Sequence, residues 1–355
     1  MSTLLASAPR LPGLDSLRGL AALAVVVTHV AFWCGSYSHG LLGSFAQRLE
    51  VGVAIFFVLS GFLLSWPWLA AASTGAARDS VRHYLWKRAV RVLPVYWVTV
   101  AAALVLLQQN RGASPRTWLD NVLLLQMFTT GDFPEGLSQM WSLATEVCFY
   151  LALPLLAWLL TRRAWARRPE RQLLLLAVLS VGSAVWTWAA AHALVGWGTW
   201  PGLSLPAYLA WFCGGIALAV VDVSRRHGTP GRLAAWCEAA AAAPGSCWLL
   251  AVSVLLVAST PIAGLPGLVG RTPPEATVRL VLYLVVALAV VVPSVFGREG
   301  TPYATFMAWR PLRHLGHVSY SLFCCHVIVL ALLFAHTDLR IFAAHLPTVL
   351  LLVVG

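Results

Sequence analysis

LDSLRGLAALAVVVTHVAFW, residues 14–33, is apolar except for Asp15, Ser16, Arg18, Thr28 and His29. A helix of that length is ~30 Å long, the thickness of a bilayer's hydrocarbon core. Arg18 and His29 are eleven residues apart. At ~100° per residue that spacing returns them to one face, ~16 Å apart along the axis. Asp15, three residues before Arg18, joins the same stripe. A charge held in hydrocarbon costs ~2.5–3.5 kcal/mol on insertion scales, so such residues line polar cavities with partners. Two readings stand: a functional stripe, or an Asp15–Arg18 pair at a helix entrance with a core histidine beyond it. Arg10 alone supplies positive charge ahead of the stretch, and no small-residue cleavage site follows, so it reads as a retained helix.

The rest of the chain has the same character. Of 355 residues, 59% are hydrophobic and 10% charged, and the mean hydropathy is +0.79. These values exclude an ordinary soluble domain and predict an all-α, polytopic membrane helix bundle. The net charge of +11 gathers in loops between apolar runs, the pattern of the positive-inside rule, so no nucleic-acid partner is expected. Lys87 is the sole lysine among the basic residues, as in a GC-rich bacterial genome. Cys34, Cys148, Cys213, Cys237, Cys247, Cys324 and Cys325 lack metal-type spacing and read as small core hydrophobes.

Ten runs are long enough, or nearly so, to span: 14–34, 51–70, 92–109, 141–161, 173–193, 206–221, 247–263, 276–296, 316–335 and 342–355. Basic residues follow the second (Arg78, Arg82, Lys87, Arg88, Arg91), fourth (Arg162, Arg163, Arg167, Arg168, Arg171), sixth (Arg225, Arg226, Arg232) and eighth (Arg298, Arg310, Arg313). Every even span thus ends in a basic loop, which predicts a multi-pass protein of the cytoplasmic membrane with both termini inside. The same parity makes the short apolar segment 119–130 a re-entrant or interfacial helix, because a crossing there would move the loop at 162–171 outside. The last run is short, as a helix cut off would be. One membrane-embedded domain over 1–355, with no appended soluble domain, is expected.

On this topology Arg18 lies near the cytoplasmic end of its span, while His29 and Glu146 lie towards the outer end. A carboxylate and an imidazole at one depth suit a base and its orienter, or Glu146 simply ties the bundle together. Arg88 and Arg91, at i and i+3, share one side of a helix at the cytoplasmic mouth. They suit the phosphates of a nucleotide-bearing donor, or they are topology determinants. Gly52, Ser60 and Gly61 mark a close-packed second span. Ser319 and Tyr320 lie near the cytoplasmic side of the ninth span, and His326 lies deep. No His-Glu-x-x-His pattern or phosphate loop occurs, so no metal is expected.

Taken in order, these motifs resemble the acyltransferase 3 family of bacterial membrane proteins. Leu14-Asp15-Ser16-Leu17-Arg18-Gly19 with His29 matches the family's basic residue, ten residues, histidine signature. Gly52-Val53, Phe56-Phe57-x-Leu59-Ser60-Gly61-Phe62, Arg88-x-x-Arg91 and Pro94-x-Tyr96-Trp97 continue it. Trp141-Ser142-Leu143-x-x-Glu146, Phe149-Tyr150, Pro154, Gly316-x-x-Ser319-Tyr320-Ser321-Leu322 and His326 complete it. The resemblance covers about residues 11–335. It implies a roughly ten-helix domain moving an acyl group, often acetyl, from cytosolic acyl-CoA to a hydroxyl of a sugar or glycosylated acceptor. Two departures are visible: Val147 follows Glu146 where many relatives have a second acid, and Phe323 replaces a tyrosine. Some relatives carry an extracellular hydrolase-like domain. This chain is expected to act directly or to pass the group to a separate extracytoplasmic partner.

The resemblance gives the residues roles. His29 is expected as general base, or as covalent acyl carrier, with Glu146 orienting or charge-balancing it and Arg18 stabilising either thioester-oxygen charge or the donor phosphates. Arg88 and Arg91 hold the donor phosphates; Asp15, Ser60, Trp141, Ser142, Ser319, Tyr320 and His326 support. Acyl-CoA, in particular acetyl-CoA, is the expected co-substrate, with no permanently bound cofactor. The rival class is a proton-coupled transporter or flippase with Asp15, Arg18, His29 and Glu146 as a relay. It lacks visible inverted repeats. A scaffold protein would need none of these polar residues.

Overall fold

The computed structural model describes residues 11–38, 40–129, 131, 133–162, 165, 168–193, 198, 200–228, 231–265, 270–337 and 339–354. Arg10, Thr130, Arg163, Arg167 and Gly355, which entered the expectations above, lie outside these. Among the described residues the secondary structure is helical throughout. In chain order the α-helices are α1 (Pro12–Trp33), α2 (Gly40–Arg48), α3 (Gly52–Thr74), α4 (Val81–Leu106), α5 (Pro115–Val122), α6 (Gln126–Thr129), α7 (Met140–Leu160) and α8 (Pro169–His192). There follow α9 (Trp200–Leu203), α10 (Leu205–His227), α11 (Arg232–Ala241), α12 (Pro244–Ala258), α13 (Pro273–Phe296), α14 (Pro302–Met307), α15 (Arg310–His336) and α16 (Leu346–Val354).

Eight of these, counting α2 with α3 and α9 with α10, are long and apolar enough to cross a membrane. The pair α11–α12, bent by 90°, makes a ninth candidate. Eight of the ten apolar runs therefore fall on long helices, 247–263 falls on the bent pair, and the last run holds only the nine residues of α16. Helix α4 begins well ahead of its apolar run because Ser80 caps it, the hydroxyl accepting from the His83 N–H at 3.2 Å. Arg88 and Arg91 are consequently on a formed helix, one turn apart.

Contacts fix the relative directions. Phe57 stacks on Phe212, and further along both helices the Trp66 indole donates to Asp222 at 2.9 Å, so α3 and α10 are parallel. Trp141 meets Tyr208 and Phe149 meets Phe212, which aligns α7 with α10. Trp211 donates to the Leu280 carbonyl and Arg225 lies over Phe296, which aligns α13 with them too. The basic loops that follow α3, α7, α10 and α13 therefore share one side. Since α10 and α13 are parallel, the chain between them returns once, and the bent pair counts as one crossing.

Helices α1 and α15 run parallel to each other and opposite to that set. A Cβ on Gly19 would meet the backbone of Leu315 and Gly316, and one on Gly316 would meet the Asp15 carbonyl. Ten residues later along both helices, His29 touches His326. Small residues permit this backbone-to-backbone approach, which is how helices associate where lipid is as apolar as the side chains. Helix α4 joins the same direction, with the Tyr320 hydroxyl donating to the Val92 carbonyl at 2.9 Å.

Segment 107–139 is a re-entrant hairpin. Asn110 bonds to Ala103 and Glu135, so the segment leaves and returns at one level. Between these points it dips to the level of Tyr96 and Trp97, whose side chains donate to the Asn121 and Val122 carbonyls. Leu124, at φ 58° in the left-handed region, turns the chain between α5 and α6. Its side chain is buried in the core, and that packing offsets the backbone strain.

Candidate active site

A cavity with about 830 Å³ of non-protein space, its mouth included, lies among α1, α3, α4, α7 and α15. Its walls carry Arg18 from α1, Ser60 from α3, Arg88 and Arg91 from α4, Ser142, Glu146 and Tyr150 from α7, and Tyr320 from α15. Phe56, Phe57 and Phe323 close its apolar side. Leu63, Leu64 and Arg88 also wall a second, shallower hollow, together with Arg78, Asp79, Tyr84 and Lys87. The cavity thus opens towards the side of the basic loops.

The charges are unbalanced. Among the described residues no carboxylate lies within 4 Å of Arg18, Arg88 or Arg91. The Nε atoms of Arg18 and Arg88 are buried without a hydrogen-bond partner. Glu146 accepts a 2.5 Å hydrogen bond from Ser60, faces Tyr150, and acts on Arg18 through space, as Arg91 and Asp15 do. Three guanidiniums and one carboxylate leave the cavity about two positive charges in excess, the make-up of an anion site.

His29 is not part of this lining. Its Nδ1 lies 2.8 Å from the Val25 carbonyl and 3.1 Å from Nε2 of His326, whose Nδ1 lies 3.1 Å from the Leu322 carbonyl. The ring of His326 neighbours that of Phe323, 6.0 Å between centroids, and Phe323 lines the cavity one turn away. The expected pairing of His29 with Glu146 is therefore corrected: the neighbour of His29 is His326. The reason is where α7 begins. Leu137, Gln139 and Met140 are buried, and Gln139 donates to the Cys324 carbonyl at 3.0 Å, so α7 starts inside the bundle at the level of Cys324. Glu146 lies six residues further on, ~9 Å deeper, level with Arg18 rather than His29.

The other expected residues divide. Ser142 and Tyr320 line the cavity, the former bonded back to the Gln139 carbonyl at 3.2 Å. Trp141 leans on Tyr208, 5.1 Å between ring centroids, and Ser319 is buried with its hydroxyl on the Gly316 carbonyl. Asp15 forms no ion pair with Arg18; its carbonyl lies at the Gly316 crossing. Sequence reading placed Tyr150 in a motif but gave it no role in the site, although its i+4 spacing from Glu146 puts both on one face. It also passed over Glu50, which accepts from Arg279 at 2.8 Å and Tyr283 at 3.0 Å and acts on His29 through space.

A family model described as an acyltransferase domain, acyltransferase 3, matches residues 11–355. The chain belongs to the acyltransferase 3 family. It is 29% identical over 189 residues to the peptidoglycan O-acetyltransferase OatA of Listeria monocytogenes, covering 49% of this chain and 28% of that protein. It is 28% identical to the acyltransferase MdmB of Streptomyces mycarofaciens, over 41% of this chain and 39% of that one. It is 30% identical to the putative peptidoglycan O-acetyltransferase YrhL of Bacillus subtilis, over 41% and 23%. The matches thus span well under half the length of these relatives. No solved structure matches the chain. Within the acyltransferase 3 frame the cavity is multi-helix, built on both parallel sets, and its polar residues come from five separate helices.

Proposed function

We propose that this chain is a membrane O-acyltransferase. It takes an acyl group, acetyl in keeping with the relatives' names, from acyl-CoA, and passes it to a hydroxyl of a carbohydrate or glycosylated acceptor. The observation that carries this is the convergence of Arg18, Arg88 and Arg91 on one cavity with Glu146 as its carboxylate. Planar guanidiniums bind phosphates in pairs, and a coenzyme A donor brings several phosphates. Arg88 and Arg91, nearest the shared mouth, hold those phosphates, and the acyl-bearing arm reaches inward along α1 towards the histidine end.

In the transfer, the acceptor oxygen attacks the thioester carbonyl carbon while its proton passes to Nε2 of His29. The carbon–sulfur bond then breaks, and the coenzyme A thiolate takes up that proton. Arg18, three helical turns from His29 along α1, joins Arg88 and Arg91 in holding the donor's phosphates. Base catalysis of this kind contributes ~10²–10⁴-fold. On this reading the cavity mouth and both termini are cytoplasmic, which the positive-inside rule supports through the basic loops on that side. The acceptor, or a separate extracytoplasmic protein that relays the group, approaches from the histidine end.

Acetyl-CoA binding to detergent-purified protein tests the donor. Saturable binding, weakened tenfold or more by Arg88→Ala with Arg91→Ala, is expected, and His29→Ala should bind but not transfer. Folded protein that ignores millimolar acetyl-CoA would remove the reading and send the work to solute-flux assays.

A further inference from the structure

Every hydrogen in the His29–His326 contact is fixed by two carbonyl groups. The Leu322 carbonyl can only accept, so Nδ1 of His326 carries a proton. The Val25 carbonyl likewise requires a proton on Nδ1 of His29. That N–H also faces Nε2 of His326 at 3.1 Å, so this nitrogen must present its lone pair. A proton there would set two N–H groups against each other. Both rings are thereby held in the Nδ1–H form, and the one nitrogen left uncommitted is Nε2 of His29. The acceptor lies on α15, 297 residues away in sequence, and is buried beside Phe323.

We propose that His326 is a positioning residue that holds His29 in the Nδ1–H tautomer, leaving Nε2 of His29 as the basic atom. When Nε2 takes the acceptor hydroxyl's proton, the Nδ1–H bond to His326 strengthens, because its donor has become an imidazolium. No proton needs to leave for His326, since receiving one would break the bond from His29 to Val25. The neutral ring thus does the work a carboxylate does in hydrolytic triads. The catalytic half rests on the acyltransferase reading above; the tautomer half does not.

Two measurements separate the halves. Nitrogen NMR of ¹⁵N-histidine-labelled protein in lipid bilayers, without any donor, reads the tautomers directly. The expected result is two signal sets with protonated Nδ1 and bare Nε2 that belong to the pair, one lost in His29→Ala and the other in His326→Leu; His336, whose Nδ1 lies 3.0 Å from the Leu332 carbonyl, gives a further set that neither change removes. A His29 signal protonated at Nε2 in the neutral ring overturns the proposal, whatever the protein's activity. For kinetics, His326→Leu removes the acceptor while His326→Gln supplies an amide oxygen near the same place. Leu should lower kcat on the order of 10²-fold with KM for acetyl-CoA unchanged, and Gln should recover most of it. Equal loss in both variants, each binding acetyl-CoA normally, overturns the positioning role. So does no loss in either. If wild-type protein transfers nothing, the acyltransferase reading fails and the NMR result alone decides the tautomer.

Discussion

Glu146 allows charge to be separated from shape with one substitution. Glu146→Gln keeps an oxygen for the Ser60 hydroxyl, which now donates at 2.5 Å to the carboxylate, but raises the cavity's excess from about two positive charges to three. Transfer should fall while acetyl-CoA binding holds or tightens by up to about tenfold, ~1.4 kcal/mol. Isothermal calorimetry beside a turnover assay reads both. Weakened binding would mean that Glu146 contacts the donor instead of balancing Arg18. The identity of this residue was legible in the sequence, and so was its spacing to Tyr150. Its depth was not, because depth depends on where α7 begins. That start is set by the packing of residues 133–139 against α15, a contact between positions nearly two hundred apart.

Close crossing by backbone governs the helices that carry the site. At Gly316 any side chain would strike the Asp15 carbonyl, whereas nothing lies within 4 Å of a Cβ placed on Gly182 in α8. Gly316→Val should therefore push α1 from α15 and cost ~1–3 kcal/mol of stability. Gly182→Ala should be neutral or gain ~0.5–1 kcal/mol from helix propensity. Thermal unfolding of both variants in detergent compares them, and equal behaviour would contradict the crossing. The re-entrant hairpin was legible from parity alone, since a crossing at 119–130 would have placed two basic loops on opposite sides. The start of α4 was less so: a Ser80 cap followed by charged residues hides a helix that hydropathy sees only from residue 92.

Across the whole bundle, parallel packing of α3, α7, α10 and α13 puts residues 75–80 and 298–301 on one side and 108–114 and 260–265 on the other. Single cysteines at Arg78 and Thr301, labelled with an impermeant maleimide in spheroplasts, should stay unreactive until the membrane is opened. One at Gly112 should react at once. Reactivity at Arg78 in sealed cells would invert the proposed orientation. Basic-loop counting reached the same arrangement, because arginine placement reports on topology directly. The bend of 90° between α11 and α12 was invisible. Hydropathy registers the apolar run at 247–263 but not the helix α11 that precedes it at a right angle.

The meeting of α1 with α15 also sets a timetable for synthesis. His29 leaves the ribosome 297 residues ahead of its partner, roughly 15–60 s at ordinary elongation rates. During that interval Arg18 and His29 are in the membrane without the helix that later covers them. Helix α3, the next long helix to emerge, meets α1 through Gly52 against the Ala21 carbonyl, so α1 has one packed neighbour before α15 exists. Ribosomes stalled before residue 310 should therefore hold α1 against α3 with the α15 side of α1 still uncovered.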